Sequence, residues 1–208
     1  QLNLAGFINN KPVRGKGNLS LLMDSNQKGF LPQQFEANNL FLVYGQNQLQ
    51  ATGNAQNLKI KLNAPALYEL YPGLRGRAYG DLNVQSQPRL KATANIAVDN
   101  FAFNTLVSVK RLSIQGELPT SETTPTQLTA KLDNLRSGNR LIQSAELNLT
   151  GTRKAHLLKV LGNNSISKFY VQLAGGFNQN NDWLGQIQKG SFDSKRIRLA
   201  QNQNAPVI

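Results

Sequence analysis

The sequence has no cysteine and a single histidine, His156. Without cysteine there is no disulfide framework and no thiolate metal site. With one histidine, neither a histidine metal cluster nor a catalytic triad forms without other ligand types. Aromatic residues make up only 7% of the chain. No apolar run approaches the roughly 18 residues that a membrane-crossing helix requires. No basic-then-apolar stretch opens the chain. A start at Gln1 instead of Met reads as a piece excised from something longer.

Acidic residues are also scarce, 11 against 23 Lys and Arg, for a net charge of +12. Such a balance favours anionic partners, either nucleic acid or anionic lipid. The cations come singly and in pairs, without the stacking aromatics of a nucleic-acid groove, so no nucleic-acid partner is expected. Asp81, Asp99 and Glu146 fall on polar strand positions or in turns, and no two carboxylates have the spacing of an acid/base pair. Gly73-Leu74-Arg75-Gly76 and Gly80 lack the helix and lysine that follow a phosphate-binding loop. No catalytic residue, cofactor or metal is expected.

Helical signals are nearly missing too. The exception is residues 64–73, where Pro65 suits a first helical turn and Pro72-Gly73 ends it, predicting one short helix near 65–71. What fills the chain is alternation of period two, the mark of strands with one apolar face. It is clearest in Leu58–Ala64, Leu74–Val84, Leu90–Ile96, Leu112–Gly116, Ala145–Gly151 and Phe169–Gly175. Several strands end in apolar-x-apolar-x-Gly, as at Gly6, Gly53, Gly116, Gly151 and Gly175, where glycine permits a bend or bulge. No change of composition marks a boundary, so residues 1–208 read as one continuous β segment.

An apolar sheet face needs a partner, and alternation alone admits a sandwich, a closed barrel or an open trough. Aliphatic and small inward residues, with few aromatics to interlock across a core, favour an all-β, elongated sheet curved into a U with a hydrophobic groove. The residues expected to line that groove are Leu58, Ile60, Leu62, Ala78, Leu82, Val84, Leu90, Ala92, Ala94, Ile96, Leu112, Ile114, Leu147, Leu149, Val171 and Leu173. Each acyl CH2 buried there is worth about 0.8 kcal/mol, so a lipid acyl chain is the expected ligand. Lys59, Lys61, Arg75, Arg77, Arg89 and Lys91 share the opposite parity and are expected to form a basic, solvated outer face. His156 is expected to be structural. Trp183, Phe177 and Phe192 read either as interfacial anchors or as the apolar closure of one end.

The passage from Leu58 to Gly76, with Ala64-Pro65, Leu67, Leu70, Pro72 and Leu74 in order, resembles a passage from the C-terminal region of the TamB family. The similarity continues through Gly80–Val84, Pro88–Ala92, Val107–Gly116, Leu147–Gly151 with His156, and Trp183-Leu184-Gly185. Gln85-Ser86-Gln87 departs from it, where a glycine is usual before the proline. The resemblance implies a bridge-like lipid-transfer protein anchored in the inner membrane and crossing the periplasm to an outer-membrane barrel partner, TamA. Implied roles are phospholipid movement between membranes and assistance in outer-membrane protein assembly. The alternative is a β-scaffold that binds client proteins or a barrel partner through a free strand edge.

Overall fold

The computed structural model describes residues 1–22, 34–54, 56–85, 91–118, 121–180, 182–201 and 203–207. In chain order they form β1 (Leu2–Ile8), β2 (Lys11–Leu22), β3 (Gln34–Tyr44), β4 (Asn47–Asn54), β5 (Asn57–Ala64), α1 (Leu67–Leu70), β6 (Leu74–Gln85) and β7 (Lys91–Phe103). The second half adds β8 (Val107–Glu117), β9 (Thr126–Ser137), β10 (Arg140–Gly151), β11 (His156–Asn163), β12 (Ser167–Phe177), β13 (Trp183–Ser194), β14 (Arg198–Ala200) and β15 (Ala205–Val207). The fold is therefore all-β, as the alternation predicts.

The strands make one open antiparallel sheet in which each pairs with the next in sequence, from β1 to β14, while β15 returns to pair with β13. A sheet this wide cannot remain flat, because each strand adds right-handed twist. Glycines on the apolar parity help it curve. Gly53, Gly116 and Gly151 take φ of +120°, +132° and +119°. At Gly53 a Cβ would meet the Asn57 carbonyl oxygen of the adjoining strand. Gly6 and Gly175, grouped with them by sequence, are not among the positive-φ residues.

Among the described residues no second layer closes over the sheet. Apart from a few slight contacts, the described elements touch their hydrogen-bonded neighbours, and α1 lies against β6 and β4, strands it does not pair with. The accessible surface is 14345 Å2, whereas a compact monomer of 22.9 kDa exposes about 9,600 Å2. No large side chain is fully buried among the described residues, and the buried apolar ones are mostly alanines.

The predicted helix is a single turn, Leu67–Leu70, and Pro65 precedes it instead of opening it. Its role is local cover. Leu67 drops onto the apolar face against Ala64 and Ala78, with Leu62, Leu74, Val98 and Phe101 around them. Polar bonds from other hairpins hold the turn there. Asn47 accepts from the Ala66 amide at 3.1 Å, and its own NH2 donates to the carbonyls of Ala66 at 3.0 Å and Tyr44 at 3.2 Å. Glu69 accepts from the Gln46 amide at 2.7 Å and pairs with Lys11 Nζ at 3.0 Å. The Gln46 amide, then Lys11, holds the Glu69 carboxyl below its ordinary pKa against the opposing effect of burial.

Asn47 is buried and serves both the N–H and the C=O of Ala66; Asn47→Ala leaves the Ala66 N–H unpaired, while the carbonyl keeps the Glu69 amide at 3.0 Å. We expect a loss of about 2 kcal/mol in urea unfolding with an unchanged slope. A slope that falls would mean that α1 frays alone.

Candidate functional site: an uncovered apolar face

Residues directly opposite in an antiparallel pair share a face, so the register reads the surface strand by strand. Leu58 opposes Val84, Ile60 opposes Leu82, and Ala64 opposes Ala78. Val84 opposes Ala92, and Leu82 opposes Ala94. Ile96 opposes Ile114, which opposes Ala130, which opposes Leu147. Leu149 opposes Leu158, which opposes Leu173, and Val160 opposes Val171. Leu62 and Leu112 join the same face through Gly80 and Val98. Every residue expected to line the groove is thus on one face except Leu90, which lies with Pro88 and Arg89 outside the described residues. Ala78 is buried against Leu67 of α1, and the rest are partly buried among same-face neighbours.

Alternation missed another set. Phe101, Phe103, Val107, Val109, Leu135 and Ile142 also lie on this face. A one-residue phase slip hides them, since the apolar positions run 98 to 101, 109 to 112, 132 to 135 and 142 to 145. Asn100 and Asn134 sit at the slip with φ of 50° and 51°, a conformation that asparagine tolerates. Asparagine inside an otherwise alternating strand was the available signal. The face also extends to the first strands, where Ala37, Leu40 and Ala51 pack with Leu2, Leu42 and Ile60. A cleft of about 310 Å3 on this side is lined by Leu4, Val13, Leu42, Leu49, Leu62 and Leu70, among others.

At the far end the three residues read together by sequence separate. Phe177 opposes Trp183, whereas Phe192 opposes Phe169 near the other ends of those strands. His156 opens β11 beside the first pair. The Trp183 indole N–H donates to His156 Nε2 at 2.7 Å, so Nε2 carries no proton and Nδ1–H donates to the Thr152 carbonyl at 3.2 Å. Its role in this arrangement is structural.

The opposite face is polar but not simply basic. Lys59, Lys61, Arg75, Arg77 and Lys91 lie there, with Asp81 and Asp99 among them. Arg77 is not a free solvating cation. Asp99, itself buried, accepts from Tyr79 Oη at 2.5 Å and meets Arg77 Nε at 3.4 Å and Arg111 Nε at 3.3 Å. The Tyr79 hydrogen bond, then Arg111 and Arg77, holds the Asp99 carboxyl below its ordinary pKa despite desolvation. Among the described residues no group of three or more His, Cys, Asp or Glu is placed to hold a metal.

The described residues form a one-layer antiparallel β-sheet with an aliphatic face continuous across its paired strands. The family model described as "TamB, N-terminal domain" matches residues 1–208, and the chain belongs to the TamB family. That description replaces the expectation of a C-terminal region. Translocation and assembly module subunit TamB of Haemophilus influenzae is 25% identical over 97% of this chain. The chain spans 15% of that relative's length. No solved structure matches.

A depressed carboxyl pKa adds stability above the unfolded value, about 3.9 for Asp, and that stability is lost as pH falls through the lower folded value. Thermal melts should therefore show a shallower acid limb below about pH 4 for Asp99→Asn than for the wild type. Identical limbs would mean that Asp99 is not ionised in the fold. Lys59→Gln, Lys61→Gln and Arg75→Gln, whose cations make no ion pair among the described residues, should each shift unfolding by only about 0.5 kcal/mol or less.

Proposed function

We propose that this chain is a periplasmic segment of an envelope-spanning bridge whose apolar face conducts phospholipid acyl chains between the inner and outer membranes. The observation that carries the proposal is the aliphatic face, continuous across the paired strands, with no second layer over it among the described residues. On this reading residues 1–208 form one unit, and the groove is lined by Leu58, Ile60, Leu62, Leu82, Ile96, Ile114, Leu147, Leu149, Val171 and Leu173 with the small Ala78, Ala92 and Ala94 between them. Small and aliphatic side chains suit a mobile ligand, because acyl chains gain from area alone and need no fixed contact. The whole protein would be anchored in the inner membrane and would meet a TamA-like barrel, supporting outer-membrane biogenesis and protein assembly. The name of the Haemophilus relative, a subunit of a translocation and assembly module, supports that setting. No step in this function calls for a catalytic group or a cofactor.

A second reading rests on the sheet edges. Among the described residues β1 pairs with β2 alone, and an edge left open there would accept strand addition by a client or barrel partner. The edge and the face are separate features, and one protein can use both.

Charge on the apolar parity distinguishes an open groove from a closed core. In an open groove Ala94→Asp and Leu147→Arg keep the fold, because the charged tip reaches water, but they interrupt the acyl path. Photocrosslinkers at Leu62, Ile114 and Leu173 should capture phospholipid in the wild type, with capture and lipid co-purification lost in both variants. In a closed core the same substitutions cost about 3–5 kcal/mol and unfold the chain. Unfolding, with no lipid captured at the wild-type positions, would refute the conduit.

A further inference from the structure

Consecutive antiparallel strands reverse direction, so the turns divide between two long rims of the sheet. One rim carries the β1–β2, β3–β4, β5–β6, β7–β8, β9–β10, β11–β12 and β13–β14 connections, and the other carries the connections between them. The two rims differ sharply in character. On the first, Arg75, Arg136, Arg140, Lys168, Lys195 and Arg196 are exposed and make no ion pair among the described residues. Only Lys11 and Arg198 there are neutralised, by Glu69 and Asp193. The described residues of the second rim carry as many carboxylates as cations. There Lys91 closes on Glu117 at 3.2 Å and Lys154 on Glu122 at 2.6 Å.

Bulky apolar residues follow the same division. Phe7, Tyr71, Leu106, Ile166 and Ile197 stand at five different turns of the first rim, between 53% and 77% exposed. The second rim exposes only Leu118 and Leu184 among its described large apolar residues. Turns normally carry polar residues, and solvation alone gives no reason to place exposed apolar tips at five of the seven turns along a single rim.

We propose that this rim docks on the surface of an anionic phospholipid bilayer. Its cations would lie against the headgroup phosphates, with the apolar turn tips in the interfacial layer. Successive turns on one rim are about 9.6 Å apart, and the row runs for about 60 Å, a spacing that suits a broad surface better than a small ligand. Isolated tips separated by cations make no dry core of the kind a protein partner would bury. Two copies of the rim would repel each other. The tips are mainly aliphatic, which does not suit base stacking. The proposal does not rest on the conduit: a docked rim lays the strand-to-strand direction of the apolar face along the bilayer, whereas a conduit upright between two membranes would leave the rim undocked.

The test compares the purified chain with two variants that lose equal charge, each checked for folding by circular dichroism. One carries Arg136→Gln, Arg140→Gln, Lys195→Gln and Arg196→Gln on the rim. The other carries Lys59→Gln, Lys61→Gln, Lys159→Gln and Lys189→Gln on the polar face. Co-sedimentation with phosphatidylglycerol vesicles should fall about tenfold or more for the rim variant and stay within about twofold for the other. Phosphatidylcholine vesicles should bind none of the three. Because the chain has no cysteine, Ile197→Cys accepts a polarity-sensitive dye, which should shift to the blue on phosphatidylglycerol vesicles, whereas the same dye at Leu184→Cys on the second rim should not. Equal losses in the two charge variants, a dye at Ile197→Cys that stays in water, or release by inorganic phosphate at constant ionic strength would each overturn the proposal.

Discussion

In a meander of antiparallel strands, side-chain parity is handed from each strand to the next through the hydrogen-bond ladder. One residue lost or gained without compensation would exchange the apolar and polar faces for every strand beyond it. This chain keeps its parity from Leu2 on β1 to Ile187 on β13. Where a residue is inserted, as between Ala37 and Leu40, the register shifts so that apolar side chains return to the same face. From β7 to β10 the slip occurs at matching positions on neighbouring strands, with Asn100 and Asn134 in the left-handed conformation. The apolar surface therefore continues past each irregularity.

The cohesion of such a sheet differs from that of a two-layer domain. Its described strands have almost no apolar core apart from two small clusters, so the ladder and same-face packing carry most of the stability. Polar locks appear where the single layer is weakest. Asn47 and Glu69 tie the helical turn to hairpins distant in sequence, and Asp99 gathers Tyr79, Arg77 and Arg111 on three neighbouring strands beside the phase slip. Both carboxylates, Glu69 and Asp99, serve the scaffold through these bonds.

Most of the apolar face was legible because alternation and same-face register obey one geometric rule. Leu58-Lys59-Ile60-Lys61-Leu62 reveals its inward residues without any neighbour. Val107, Val109, Leu135 and Ile142 were not legible, because the slip falls inside their strands and period-two reading stops there. The helix came out longer in sequence than in structure, since Pro65 signals a start that Ala66, as the capping residue, delays by two positions. Arg77 read as a solvated cation because its partner Asp99 is distant in sequence and adjacent only after β6 and β7 pair. The rim asymmetry was equally hidden. It depends on which turns share a side, and only the topology supplies that.

The account stands on an apolar face over which the described residues place no second layer, only the single turn α1. Single cysteines answer this directly, because the native sequence has none. In the delipidated chain, Leu147→Cys and its neighbour Asn148→Cys, on opposite faces of β10, should react with a water-soluble maleimide at comparable rates. Added phospholipid should slow only Leu147→Cys. A cysteine at 147 that stays inert without lipid while 148 reacts freely would mean a closed core, and would contradict the account.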